Sequence, residues 1–168
     1  TLNTVRRALT HKPDLLYVWM PQSAVFGLLA RVPTIFEIHI QPSGVLGRLA
    51  HIAFAFLGPG DVAVIPEPAY QAYLGGTLMA DAMPHIYALR PRTDFLVELD
   101  ELPDGVAART RVVYLNYPNN PTTAVAPRDY LERVVRFCRE RDALLVFDNA
   151  YSELAFDGYV PPSIFEIE

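Results

Sequence analysis

Four side chains in this sequence stand where they could do chemistry: Tyr70, Asn120, Asp148 and Tyr151. Asp148 closes the apolar run Leu144–Phe147. A carboxylate at the end of a buried strand needs a partner. It can cap a helix or join a structural ion pair, or it can hold a protonated ring nitrogen, which stabilises the charged form of both. Tyr151 follows three residues on, and a helical turn after Asp148 would bring the two side chains to one side. Its phenol could then donate to a ligand oxygen, or lie half-buried with its hydroxyl at the surface. Asn120 belongs to Asn119-Asn120-Pro121, a turn signature by itself, and its amide could donate to the same ligand oxygen. Tyr70 follows a rigid Pro66-Glu67-Pro68 segment. Its ring could stack on a flat ligand or pack into the core, and Tyr73 is an equal candidate by composition.

These residues need elements to hold them. Asp14–Trp19 and Pro33–His39 read as strands around a short helix, Ser23–Arg31, with Ser23 as N-cap. Short links between them predict a parallel pair with a right-handed crossover. Gln41–Gly47 reads as a loop, and Leu49–Leu57 as a buried helix ended by Gly58-Pro59-Gly60. Asp61–Pro66, Met83–Leu89 and Arg111–Asn116 read as strands. Tyr70–Thr77 reads as a helix stopped by Gly75-Gly76, and Asp100–Ala108 as a short helix. Pro127–Arg141 is the clearest helix: Tyr130, Val134, Phe137 and Cys138 form one buried face. Glu132 and Arg136 are expected to form an i,i+4 pair on another face. Leu144–Phe147 reads as a strand buried on both sides. The alternation predicts an α/β fold of three layers with a mostly parallel sheet.

Composition excludes several classes. An apolar share of 51% over 168 residues supports one sizeable core and argues against disorder. A net charge of −5 disfavours nucleic acid or an anionic membrane as partner. No apolar run approaches the ~20 residues of a membrane helix, and no segment is ordered like a signal peptide. The lone Cys138 cannot form an internal disulfide and reads as a small core residue. A cytoplasmic location follows as the expectation. Four scattered His and one Cys offer no metal-ligand spacing.

Four segments in order carry a family resemblance: Pro66–Tyr73, Tyr114–Thr122, Phe147–Tyr151 and Phe156–Tyr159. Over residues 49–168 the chain resembles class I/II aminotransferases of fold type I, near the LL-diaminopimelate aminotransferase type. Leu49–Asp61 is similar to the helix and turn that lead into a strand of that family. Asn116–Thr122 is similar to its Asn-Pro-Thr-Gly loop, and Asp148–Tyr159 to its Asp-x-x-Tyr segment. The resemblance implies pyridoxal 5'-phosphate (PLP) as cofactor. It implies Tyr70 stacking on the ring, Asn120 and Tyr151 at the 3-oxygen, and Asp148 at the ring nitrogen. It also implies an amino acid and a 2-oxo acid as substrates, and a homodimer.

The sequence departs from that pattern. Its one lysine, Lys12, lies far upstream of the motifs. The lysine that would hold the cofactor covalently, and move the substrate's α-proton, is not among these residues, nor are the family's substrate arginines. No catalytic residue is therefore assigned, and the chain by itself is expected to be silent. Where the family has Gly-Ser-Lys for the phosphate, this sequence reads Gly44-Val45-Leu46-Gly47-Arg48, with Arg48 the nearby cation. Thr123 replaces the glycine of Asn-Pro-Thr-Gly, a costly choice if φ is positive there. Residues 1–47, with Phe36-Glu37-Ile38-His39, resemble the first Rossmann-like domain of GT-B glycosyltransferases. The expectation is thus two parts, 1–47 and 48–168, fused within Pro42–Arg48. The leading reading is a fragment of a PLP-dependent aminotransferase. A glycosyltransferase-derived module and a non-catalytic interaction protein are the alternatives.

Overall fold

The computed structural model describes residues 52–167 and the backbone of two earlier strands, residues 16–18 and 34–38. In chain order the strands are β1 (Leu16–Val18), β2 (Thr34–Ile38), β3 (Val62–Glu67), β4 (Met83–Ala88), β5 (Thr110–Asn116) and β6 (Leu144–Asp148). The helices are α1 (Gln71–Met79), α2 (Asp104–Ala107) and α3 (Arg128–Glu140), with residues 52–56 also helical. The expected helix Ser23–Arg31, the loop Gln41–Gly47, Lys12 and Arg48 lie outside the described residues.

The strands form one sheet in the order β1-β2-β6-β5-β3-β4. Every pairing is parallel. β2 hydrogen-bonds to β6, with Ile38 opposite Asp148. The strand pair from the first 47 residues therefore extends the sheet formed by the rest. Pro66 lies in β3 beyond Val64, the last residue paired to β5, and Pro84 lies in the edge strand β4. Both positions suit a residue that cannot donate to a ladder.

Alternate residues of the central strands feed two cores. Val113, Leu115, Leu145 and Phe147 point to the side packed by Tyr130, Leu131, Val134 and Val135 of α3. Val112, Tyr114, Leu144 and Val146 point to the side packed by Ile52, Ala53, Ala72 and Tyr73. Burial on both faces explains why β6 is apolar from Leu144 to Phe147 rather than alternating. Helix, sheet and helix make the three expected layers.

α3 buries Tyr130, Val134, Phe137 and Cys138, as its spacing requires. Burial pushes the Cys138 thiol up to about 12, so it packs as an apolar group. Glu132 bonds back to Arg128 (3.2 Å) rather than forward to Arg136, while Arg133 pairs with Asp129 at 3.0 Å. The i,i+4 spacing permits either neighbour, so it does not choose between them.

α1 departs from expectation: Gly75-Gly76 does not stop it, and it runs on to Met79. Two glycines cost about 1 kcal/mol each in a helix. Ala72, Tyr73, Gly76 and Thr77 are buried together, and that packing outweighs the propensity. The expected helix Asp100–Ala108 is split into a 3-10 turn, Leu99–Glu101, and α2. Pro103 separates them, and it supplies no N–H for a continuous ladder.

Candidate cofactor site

Because the strands are parallel, the carboxyl ends of β3, β5 and β6 share one edge of the sheet, where ligands of open α/β sheets bind. Asn116 closes β5 and Asp148 closes β6, directly opposite one another. The Asn116 amide donates to the Asp148 backbone carbonyl (2.8 Å), and its Oδ1 accepts from the Asn120 backbone N–H (3.1 Å). One side chain thus ties the loop after β5 to the end of β6.

That loop is built around Asn119, which is buried. Its Oδ1 accepts from the backbone N–H of Thr122 (3.2 Å) and from the Thr122 hydroxyl (2.6 Å). Its backbone N–H donates to Ala124 O and its carbonyl accepts from Thr123 N, both at 2.8 Å. With Asn119 spent on the loop, the Asn120 amide is the one that reaches across, donating to the Tyr151 hydroxyl at 2.9 Å. These two residues, 31 positions apart, therefore converge on one point. A groove of about 570 Å³ opens beside them, lined by Asn120, Tyr151, Val125, Leu154, Phe156 and Tyr159 among others. Phe156–Tyr159 closes as a turn, Tyr159 N–H to Phe156 O at 3.1 Å. Asp157 and Gly158 both have positive φ there, as a primed turn demands. Asp148 and Tyr70 do not line that groove.

Asp148 is only 4% exposed. Its Oδ2 accepts from the Tyr73 hydroxyl at 2.5 Å. Its Oδ1 is buried with no hydrogen-bond partner among the described residues. Burial raises the carboxyl's pKa above its ordinary value, and the Tyr73 hydroxyl pulls the other way. The helix-cap reading of Asp148 does not hold: the 3-10 turn Ser152–Leu154 is capped at Tyr151. Residues 149–151 are not helical, and Tyr151 itself has φ −122 and ψ 11. Its hydroxyl meets Asn120 instead.

Tyr70 and Tyr73 differ in setting: Tyr70 has extended backbone ahead of the helix, and Tyr73 lies within its first turn. Tyr70 is the N-cap of α1 and 42% exposed, whereas Tyr73 is 1% exposed. Their rings meet edge to face at 6.0 Å. Tyr73 stacks on Tyr114 at 4.7 Å and 12°. Tyr70 is therefore the ring free to meet a ligand, and Tyr73 the one committed to the protein. The bond from Tyr73 to Asp148 spans 75 positions, and nothing local in the sequence marks it. The role of Asn116 had a faint signal, a polar residue ending an apolar strand.

Thr123 has φ +60, which settles the condition raised by the missing glycine. A β-branched residue there carries about 1–2 kcal/mol of backbone strain, against the ~0.4–1 kcal/mol that glycine loses to unfolded-state freedom. Thr123→Gly is expected to stabilise the chain by roughly 0.5–1 kcal/mol, read as a higher urea midpoint at unchanged slope. A lower midpoint would show that the Thr123 side chain contributes more than its strain costs.

Among the described residues no group of three His, Cys, Asp or Glu could hold a metal ion, and no helix is long and apolar enough to cross a membrane.

Known proteins resemble this chain in sequence and in fold. The chain matches the family described as aminotransferase class I and II over residues 39–166. It is 47% identical over 119 residues to the LL-diaminopimelate aminotransferase of Desulforudis audaxviator, covering 71% of this chain and 30% of that protein. BacF of Bacillus subtilis superposes with a TM-score of 0.70 at 26% identity, covering 99% of this chain and 44% of that one. An aminotransferase from Neisseria meningitidis gives 0.68 at 27%, covering 73% and 32%. The chain spans about 30% of the length of the curated relatives it matches.

The glycosyltransferase resemblance of residues 1–47 is not supported. The family match begins at His39, ahead of Pro42–Arg48, and the BacF likeness runs over nearly the whole chain. A short strand–helix–strand is common to many α/β folds, which is why 45 residues of it misled. The sheet, its order and its carboxyl-edge residues form part of a fold type I large domain, and the chain belongs to the class I and II aminotransferase family.

Proposed function

We propose that this chain is the ring-seating portion of a PLP-dependent aminotransferase, an enzyme that moves an amino group between an amino acid and a 2-oxo acid. The observation that carries the reading is Asp148: a carboxylate at a strand's carboxyl end, buried, with one oxygen lacking a partner among the described residues. Such an atom is costly unless a donor meets it, and a pyridine nitrogen bearing a proton is a donor of the right charge. The residues fit the cofactor in two further ways. Asn120 and Tyr151 present two polar groups at one point, suited to an anionic ring oxygen. Tyr70 offers an open ring at the start of α1.

In this reading Tyr70 covers one face of the ring, Asn120 and Tyr151 hold the 3-oxygen, and Asp148 keeps a proton on the ring nitrogen. Bound PLP supplies an electron sink for chemistry at the substrate's α-carbon. The relatives named LL-diaminopimelate aminotransferases favour a substrate of that type, with the homodimer as assembly and the cytoplasm as location. With Lys12 the one lysine in the sequence, these 168 residues alone bind PLP noncovalently and do not turn over. The division into residues 1–47 and 48–168 is a seam of sequence alone, and one sheet crosses it.

Calorimetric titration of the 168-residue chain with PLP tests the reading. Saturable binding is expected, weakened several-fold by Asn120→Ala and by Tyr151→Phe. Binding that ignores both substitutions, or no binding, would rule it out.

A further inference from the structure

We infer that Tyr73 is the positioning residue of the ring-nitrogen site: its hydroxyl claims Oδ2 of Asp148 and so fixes Oδ1 as the oxygen left for a ligand. The inference rests on the PLP reading above and concerns a residue to which that reading gives no task.

A carboxylate at the end of a strand can rotate about its terminal torsion, which is broad and two-fold. Either oxygen, or neither, could then face a ligand. Tyr73 removes that freedom. Its hydroxyl donates to Oδ2 at 2.5 Å, in the distance range of a charge-assisted O–H···O⁻ bond. The phenol is itself buried, 1% exposed, and its ring is stacked 4.7 Å from that of Tyr114. Tyr114 lies in β5, whose last residue, Asn116, holds the Asp148 backbone from the other side. The carboxylate is thus gripped at its main chain by one strand and at one oxygen by a helix.

Helix α1 extends the same logic to Tyr70. Tyr70 is the N-cap and Tyr73 lies in the first turn, with the Tyr73 N–H bonded to the Tyr70 carbonyl at 3.1 Å. A single helical turn therefore carries both the exposed ring and the phenol that orients the acid. The two contacts to a pyridine ring, face and nitrogen, are held in a common frame. The Tyr73 hydroxyl thus meets the Asp148 carboxylate while its ring lies on Tyr114.

Comparison of PLP with its 1-deaza analogue, which has carbon in place of the ring nitrogen, tests the inference in the 168-residue chain. Binding is read by equilibrium fluorescence, without any need for turnover. The wild-type chain is expected to prefer PLP over the deaza analogue about tenfold. Tyr73→Phe keeps the stacked ring and removes the hydroxyl. It is expected to lower PLP affinity about tenfold while leaving the deaza analogue within twofold of wild type. In an Asp148→Asn background the same substitution is expected to change PLP affinity less than twofold, because nothing remains to be positioned. Equal loss for both probes would mean that Tyr73 only supports the fold, and overturns the inference. So would a wild-type preference that survives Tyr73→Phe, with the cofactor reading intact. Failure of the wild-type chain to bind PLP overturns the cofactor reading and this inference with it.

Discussion

Asp148→Asn is expected to weaken PLP binding by roughly ten- to hundredfold, corresponding to about 1.5–3 kcal/mol for a hydrogen bond between charged partners. The asparagine is nearly isosteric and can still accept from the Tyr73 hydroxyl, so the local packing is retained. What disappears is the negative charge at a site that is 4% exposed. At an effective dielectric near ~20, two opposite charges about 4 Å apart attract by roughly 4 kcal/mol before desolvation is subtracted. Calorimetry at neutral pH measures the difference, and an affinity within twofold of wild type would remove Asp148 from the site. The same substitution should act on stability in the opposite sense. Burial raises the Asp148 carboxyl above its ordinary value of 3.8 in the folded chain. A group with a raised folded-state pKa binds its proton more tightly when folded. Its contribution is complete below the unfolded-state value and is lost as pH rises through the folded-state value. The unliganded wild-type chain should therefore lose stability relative to Asp148→Asn as pH rises through that window. Saturating PLP should lessen that loss, since a cationic partner favours the carboxylate. Melting curves of wild type and Asp148→Asn from acid to neutral pH, with and without PLP, provide the check; a wild-type stability that gains on the variant as pH rises over the same window would reverse the assignment.

Phe147→Ala is expected to cost about 3–5 kcal/mol of stability, the largest effect on folding proposed for this chain. Phe147 is 1% exposed, in the central strand β6, against the core formed by Leu131, Val134 and Val135. Removing the ring leaves a cavity that the strand cannot collapse, because β2 and β5 hold it on both sides. A domain's whole stability is about 5–15 kcal/mol, so much of it would go. Phe147 also precedes Asp148 directly, so the loss should loosen the carboxylate as well as the core. Urea denaturation gives the first quantity, and the PLP preference over its deaza analogue at low temperature gives the second. A midpoint shift worth under about 1 kcal/mol would mean that this core repacks freely.

Much of the architecture was legible in the sequence because the signals are local. A doubly buried strand such as Leu144–Phe147 needs a continuous apolar run, and a helix such as α3 needs its apolar residues on one face; both patterns survive in one dimension. The placement of Asp148, Asn120 and Tyr151 near the carboxyl edge of a parallel sheet follows from the same alternation. Glycine at the end of a turn was a less dependable mark. Gly58-Pro59-Gly60 does end a helix, whereas Gly75-Gly76 does not, since α1 is held by the sheet beneath it rather than by propensity.

By itself the sequence determined the class, the order of the main strands and helices and the family, all of which depend on near neighbours along the chain. The tertiary structure alone decided that β2 lies beside β6, that Glu132 turns to Arg128, and that Tyr70 is open while Tyr73 is buried against Asp148. It also decided that Asn116 joins the two strand ends and that Thr123 bears a positive φ. Each of these is set by contacts or backbone geometry that packing imposes across many residues, and the bond spanning Tyr73 to Asp148 leaves no periodic trace in the chain that encodes it.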